Sequence, residues 1–373
     1  MATTPEAYVH LSTDKTTLTF YYDTLRADRN GETWGIREIR DRRRISLLSS
    51  LPAWAGYRHS PSTTVFTAVF DASFHDFCPT TTAGWFYEFK SLKSIEGLEH
   101  LNTSQLTDMG CMFYGCASLT SLDLTSFDTS KVKYMDWMFW NCRSLTSLDL
   151  SSFDTSQVTS LAAMFSGCES LTSLDLTSFD TSQVTDMSSM FSGCASFTAL
   201  DLSRFDTSKV TDMIDMFSGC ASLTSLDLSR FDTSKVTDMG SMFSGCSRLK
   251  SITFPNKLKA IGHDAFYACL KLKDVQLSES MTYIDKGLFA DCRSLTQITL
   301  PEKIGLVYED AFANCIALKS IKSKALYPPE VIKDGRSGHK LRYTGKLIVP
   351  VGSKDSYVNS VSWGHCDPIV EED

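Results

Sequence analysis

The chain has 373 residues, enough for two or three compact domains or for one long array of repeats. Hydrophobic residues make up 42% and charged residues 21%, as in an ordinary soluble, folded protein. The net charge of −8 argues against a general nucleic-acid binder, which usually carries a basic face. No apolar run approaches the roughly 20 residues that a membrane-spanning helix needs. We therefore expect neither a nucleic-acid partner nor a membrane span.

Residues 1–62 are predicted to form a β-rich N-terminal cap, because the first coil of a repeat array would otherwise expose its core and strand edges. Within it, residues 7–22, AYVHLSTDKTTLTFYY, indicate two strands around a polar turn. The charge run at 35–44, GIREIRDRRR, is either a solvated face or a patch for an anionic partner.

From residue 63 to residue 248 the sequence repeats every 26 residues, as in 171–191, LTSLDLTSFDTSQVTDMSSMF. A fixed period of this length is typical of a solenoid, in which stacked coils bury a shared core. Leu171, Leu174 and Leu176 give the L-x-x-L-x-L pattern of a leucine-rich repeat strand, with Asp175 facing outward.

The second half of each repeat predicts a short helix. Thr185 or Asp186 is a candidate N-cap, and Gly193 is a candidate C-terminal residue. Between them, three apolar residues fall at i, i+3 and i+4 on one helical face: Met187, Met190 and Phe191. We expect this stripe to be core rather than a cofactor pocket.

Aromatic and thiol columns run through the repeats and predict the core. One phenylalanine column starts at Phe113 and another at Phe127, each recurring every 26 residues. A cysteine recurs once per repeat from Cys116 onward, without the close pairs of a zinc site. We interpret these cysteines as small buried side chains and expect no metal. Disulfides between neighbouring coils, about 4.8 Å apart, are geometrically conceivable but are not expected.

After Cys246 the unit shortens to 23 residues, in 249–269, 272–292 and 295–315. The apolar register and the cysteine column continue, so residues 249–323 are predicted to extend the same solenoid. Residues 324–373 are predicted to form a C-terminal cap, in which KLIVPVGSKDSYVNSVSW reads as a strand, a turn and a short helix starting near Ser353.

These repeats resemble a known family. The SLDLSxFDTSxVTDMxxMFxGC units look like the 26-residue repeats of bacterial BspA-like surface leucine-rich repeat proteins, and the 23-residue units resemble related repeats of that family. The resemblance covers residues 63–365, including the tail GKLIVPVGSKDSYVNSVSWG. It implies an α/β fold: a right-handed leucine-rich-repeat solenoid with a parallel concave sheet and short convex helices, capped at both ends.

Two surface features are candidate binding sites. The first is a column of aspartates expected along the concave sheet, where neighbouring hydroxyls would donate to the carboxylates and ease their repulsion. It is either a tolerated surface copied by duplication or an anionic strip for a basic partner or cations. Its members are Asp123, Asp149, Asp175, Asp201 and Asp227.

The second feature is a break in the repeat pattern, at YMDWMFWNC (134–142). Aromatic residues there occupy positions that are mostly small and polar in later copies, so they are expected to face solvent on the convex side. Exposed aromatics are typical of binding hot spots; the alternative is that they pack beneath the N-terminal cap. The residues are Tyr134, Trp137 and Trp140 in this stretch, together with Tyr114, which lies one coil earlier in the same column as Trp140.

The sequence contains no recognisable catalytic motif, and we expect a non-enzymatic, monomeric binding scaffold without cofactors. The resemblance implies a bacterial surface adhesin that binds a host or bacterial protein or a glycan, at the cell surface or secreted. MATTPEAYVHL lacks the features of a signal peptide. A cytoplasmic location, and an intracellular or phage-associated interaction module, therefore remain open.

Overall fold

The computed structural model describes residues 4–39, 51–57, 60–333 and 338–372. The chain forms two compact units, Met1–Val184 and Thr185–Asp373. Residues 40–44 of the charge run lie outside the described residues. The boundaries expected after residues 62, 248 and 323 remain predictions.

The described residues of the first unit contain five strands, β1 (Glu6–Leu11), β2 (Thr17–Asp23), β3 (Glu32–Gly35), β4 (Thr67–Phe70) and β5 (Ser94–Glu96). They form one sheet in the order β3-β1-β2-β4-β5, in which β1 is antiparallel to β2 and β3, and β4 is parallel to β2 and β5. The two strands predicted within residues 7–22 are confirmed. Short 3-10 helices lie at Arg26–Asp28, Ala72–Asp76 and Leu98–His100.

Nine strands and one short helix lie in the described part of the second unit: β6 (Ser225–Asp227), β7 (Ser251–Thr253), β8 (Tyr283–Ile284), β9 (Gln297–Leu300), β10 (Leu306–Tyr308), β11 (Ser320–Ser323), β12 (Glu330–Ile332), β13 (Lys346–Val349), α1 (Lys354–Val358) and β14 (Ile369–Glu371). They pair as β6-β7, β8-β10-β12 and β9-β11-β13-β14, and every pair is parallel. The predicted strand, turn and short helix after residue 345 are confirmed by β13 and α1.

The convex helix predicted in each repeat is wrong. From Met187 to Gly193, the N–H groups of alternate residues donate to carbonyls of the next repeat. Between them, Met190 and Ser192 each donate to the carbonyl three positions back. Ser189 and Gly193 have φ values of 54° and 71°, in the left-handed region that an α-helix does not use. A helix of one or two turns would leave most of its N–H groups without a partner, whereas this chain of turns pairs them.

One hydrogen bond of the type expected from the predicted N-cap is present in this chain of turns. The Asp186 carboxylate accepts a hydrogen bond from the Ser188 N–H at 2.8 Å. This bond closes a local turn instead of starting a helix, since aspartate readily bonds the backbone two residues on.

Stacked phenylalanines form the core of each unit, as predicted. In the first unit, ring centroids are 5.6–5.7 Å apart along Phe86, Phe113, Phe139 and Phe165. In the second unit, neighbouring rings lie 5.2–5.8 Å apart along Phe191, Phe217, Phe243, Phe266, Phe289 and Phe312.

The cysteine column packs beside these rings. The twelve cysteines are free thiols, and all members of the column are buried except Cys315, which is partly buried. Most thiols of the column donate to a phenylalanine carbonyl of an earlier coil, as Cys142 does to Phe113 at 3.2 Å. The prediction of small buried side chains is confirmed.

Candidate functional site

Four aromatic side chains of the first unit form an aromatic cluster: Tyr87, Tyr114, Trp137 and Trp140. The Tyr87 and Tyr114 rings stack at 4.4 Å, and Tyr114 stacks on Trp140 at 4.3 Å, with interplanar angles of 9° and 16°. The Trp137 centroid is 6.3 Å from those of Tyr114 and Trp140. The structure thus brings together three of the four aromatic residues predicted from the broken repeat.

Tyr114 does not face solvent, and that expectation is wrong. Its side chain is only 4% exposed because Tyr87 covers one ring face and Trp140 the other. Burial raises the pKa of its hydroxyl well above the usual value. Tyr87 lies in the coil before that of Tyr114, where the sequence GWFYEFK (84–90) departs from the regular copies, so its role was not visible in those copies.

Tyr134 lies apart from the cluster. It is 50% exposed and forms parallel bridges with Asp108 and Ser160 through its backbone. Among the aromatic contacts of the described residues, none involves the Tyr134 ring. The expected solvent exposure is therefore met at Tyr134.

Trp137 has an unusual backbone conformation. Its φ is 61°, and its N–H donates to the carbonyl of Ala162 in the next coil at 2.9 Å. The left-handed conformation costs roughly 1–2 kcal/mol for a residue with a side chain, and bulky residues seldom adopt it. The surrounding ladder therefore holds a partly exposed Trp in a strained conformation, which is a feature often found at functional sites.

The aromatic stack ends at Trp140. The residue in the same column one coil later is Ser166, whose side chain is too small to cover an indole ring. Both residues are partly exposed. The outer part of Trp140 therefore lies beside a small polar side chain, next to Trp137.

The predicted aspartates are exposed, three in the first unit and two in the second. Each carboxylate accepts a hydrogen bond from the backbone N–H two residues on, as Asp149 does from Ser151 at 2.9 Å. The corresponding bonds of the others are 2.9–3.0 Å long, at Asp123, Asp175, Asp201 and Asp227. The aspartates thus close the turn that follows each leucine segment.

Hydrogen bonding outweighs charge repulsion at these aspartates. The bonds from Ser151 hold the pKa of Asp149 below its usual value, although Asp123 and Asp175 act in the opposite direction. The predicted hydroxyl donation is confirmed where the partner is a threonine, at Thr125 and Thr177, each 2.7 Å from the carboxylate. A binding role for this column remains a prediction.

Sequence reasoning missed a cavity of about 650 Å³ in the second unit. It lies between two corner segments, 231–239 and 255–263, where the repeat shortens from 26 to 23 residues. The loss of three residues was visible in the sequence and could have indicated this cavity. Its lining includes Phe231, Thr233, Val236, Lys257, His263 and Tyr283.

Within the described ranges, no three His, Cys, Asp or Glu side chains are grouped so that they could hold a metal ion. The same part of the chain contains no helix that is long and apolar enough to cross a membrane.

Stacked repeats, parallel inter-coil ladders and a shared Phe and Cys core define each unit as a solenoid. Residues 80–180 and 160–260 match the family described as "Mycoplasma protein of unknown function, DUF285". Residues 214–326 match six copies of the "BspA type Leucine rich repeat region". The chain is thus a BspA-like leucine-rich repeat protein, and the predicted family is confirmed.

Solved structures with similar folds include a leucine-rich cell surface protein from Faecalibacterium prausnitzii (19% identity, 99% of this chain and 93% of that chain, TM-score 0.44). A leucine-rich repeat protein from Bacteroides ovatus is 17% identical, and the match covers 99% of this chain and 98% of that chain with a TM-score of 0.47. The pneumococcal vaccine antigen PcpA is also 17% identical, and the match covers 98% of this chain and 96% of that chain with a TM-score of 0.39. TM-scores below 0.5 give no basis for transferring a ligand. No curated protein sequence matches the chain.

Proposed function

We propose that this repeat scaffold is a non-enzymatic adhesin of a bacterial surface, and that it binds a protein or glycan partner through the aromatic cluster. The observation that carries the proposal is the partly exposed pair Trp137 and Trp140. Tryptophans present a large apolar surface with a polar N–H and are enriched in binding hot spots.

The backbone of Trp137 supports the same proposal. Later copies of the repeat place small or polar side chains at this left-handed position, such as Ala163 in the same unit. A tryptophan gains no backbone stability there. Its ring does contact Tyr114 and Trp140, so the arrangement presents an aromatic surface at the cost of local strain.

The double variant Trp137→Ser/Trp140→Ser tests this function. Serine is compatible with both positions, since later copies have Ser166 in the Trp140 column and Ser189 in the Trp137 column. We expect a folded protein that no longer binds the ligands found for the wild type in a screen of host matrix proteins and glycans.

Two single variants control for structure. Tyr134→Ser removes an exposed ring outside the cluster and should leave binding unchanged. Tyr114→Ser removes a buried ring and should lower the melting temperature. Unfolding of the double variant, or its undiminished binding, would refute the proposed role of the two tryptophans.

Surface display is tested separately in the native bacterium. Protease treatment of intact cells should remove the protein, whereas a cytoplasmic marker should survive. Full protection of the chain until the cells are lysed would favour an intracellular interaction module.

A further inference from the structure

The cavity in the second unit arises from the change in repeat length. Phe254 continues the column of Leu228, and Phe266 stacks on Phe243 at 5.2 Å. Fourteen residues lie between these two columns in the first coil, and eleven lie between them in the second. The longer corner, residues 231–239, is therefore not fully covered by the shorter one.

In regular repeats, the corner segment of one coil is covered by the corner segment of the next coil. These covered corners show what normally lies on the surface that the longer corner leaves open. In the first unit, the Thr129 hydroxyl accepts the N–H of Asp154 at 2.8 Å and donates to the carbonyl of the same residue at 2.9 Å. In the second unit, Thr207 holds the N–H and carbonyl of Asp232 in the same way, at 2.7 and 3.1 Å. Each buried threonine thus binds both backbone polar groups of one residue in the next coil.

Thr233 is the next member of this column, and its site is open. Within the described part of the chain, its hydroxyl forms no hydrogen bond. Thr233 and Val236 are partly exposed, whereas Thr207 and Val210 are buried. The cavity of about 650 Å³ lies over these two residues. The Thr233 hydroxyl and the apolar surface of Val236 are therefore arranged as in the covered corners, but the covering segment is missing.

The charges beside Thr233 favour an acidic residue in that position. Lys257 lines the cavity and lies close enough to Asp232 to help hold the pKa of that carboxyl low, after the larger effect of its bonds to Ser234. Arg230 and Lys259 also line the cavity. In the covered corners the residue bound by threonine is itself an aspartate.

Two further acidic residues, Asp238 and Asp285, line the cavity near His263, and burial raises the pKa of the Asp285 carboxyl. Around Thr233 the lining carries three cations, on Arg230, Lys257 and Lys259, against the single carboxylate of Asp232. This uneven distribution of charge would orient a bound chain.

From this geometry we propose that the cavity is a peptide-binding site. It takes an extended segment of another polypeptide, one residue of which gives its N–H to the Thr233 hydroxyl and accepts that hydroxyl's proton at its carbonyl. An acidic side chain on this residue lies beside Lys257, and an apolar neighbour packs on Val236. This site is separate from the aromatic cluster and does not depend on it.

The probe is the blocked peptide acetyl-Ser-Phe-Asp-Thr-Ser-amide, which copies residues 152–156 of a covering segment. Titration calorimetry and NMR shifts should show saturable binding to the full chain. Thr233→Val keeps the shape but removes both hydrogen bonds, so the affinity should fall about tenfold or more. Thr172→Val, at an exposed threonine of the first unit, is the matched control.

Two further arms test the chemistry. A peptide methylated on the aspartate nitrogen lacks the required N–H and should bind at least about tenfold more weakly. Lys257→Gln should weaken binding in a salt-dependent way, unlike Lys303→Gln at an exposed control site.

The inference is overturned if the blocked peptide does not bind saturably, or if Thr233→Val and the methylated peptide bind as well as their parents. Occupation of the cavity by an oligosaccharide instead of the peptide would also overturn it. Trp137→Ser/Trp140→Ser should bind the peptide normally, so this test is independent of the proposed adhesin function.

Discussion

The Cys168 thiol shows how the core constrains a single titratable group. It donates to the Phe139 carbonyl at 3.3 Å, and burial raises its pKa to about 12. An unfolded thiol ionises near pH 8.5. Between these values the unfolded chain loses protons that the folded chain keeps, so stability should fall as the pH rises above about 8.5.

Urea unfolding between pH 8 and pH 11 measures this loss. In Cys168→Ala the dependence should be shallower by about 1.4 kcal/mol per pH unit at most. Cys78→Ala, at the exposed cysteine, serves as the control. Equal slopes in Cys168→Ala and wild type would show that the Cys168 thiol does not couple to folding.

At Asp149, the contribution of the side chain to the stability of the fold can be separated from its contribution to binding. Asparagine retains the oxygen that accepts the Ser151 N–H but removes the charge, whereas alanine removes both. Asp149→Asn should therefore keep the wild-type melting temperature, and Asp149→Ala should lower it.

The same pair of variants tests the predicted anionic strip. If the column binds cations or a basic partner, Asp149→Asn should weaken that binding although the fold is intact. A melting temperature of the wild type that is indifferent to both salt and millimolar calcium would argue against a cation site.

At the scale of the element, the threonine column predicts unequal effects of the same substitution. Thr207→Val leaves the N–H and carbonyl of Asp232 without their buried partner, which should cost about 1–3 kcal/mol. Thr233→Val has no such partner to lose and should leave the free energy of unfolding nearly unchanged. Chemical denaturation compares the two, and a similar loss in both would contradict the open site at Thr233.

The turns explain why local structure was harder to predict than the core. Met187, Met190 and Phe191 have a spacing that fits one face of a helix and equally fits this chain of turns. The left-handed conformations of Ser189 and Gly193 exclude the helix and fit the chain of turns. A serine in the sequence does not predict that conformation. The phenylalanine core was predictable because the same register recurs in every copy.

For the candidate site too, what could be predicted from the sequence depended on how each residue relates to the repeat pattern. Trp137 and Trp140 stood out as departures from the repeat, and both lie in the aromatic cluster. Burial of Tyr114 depends on Tyr87, in a coil too degenerate to align by pattern. The cavity depends on contacts between coils of unequal length, which no single repeat contains.

At the scale of the whole molecule, a repeat protein is stabilised mainly by contacts between neighbouring coils. Deletion of residues 205–230 tests this directly, because DLSR precedes the cut at 201–204 and also ends the deleted segment at 227–230. The junction then reads DLSR-FDTSKV as in the wild type, and Phe243 would stack on Phe191. We expect the shortened chain to fold and to unfold cooperatively in urea. Its denaturant dependence should be smaller, because less surface is exposed on unfolding.

Deleting only residues 205–217 places polar residues in the core columns and should prevent folding of the second unit. A 26-residue deletion that also failed to fold, as judged by circular dichroism, would show that the copies are not interchangeable and that each coil depends on its own neighbours.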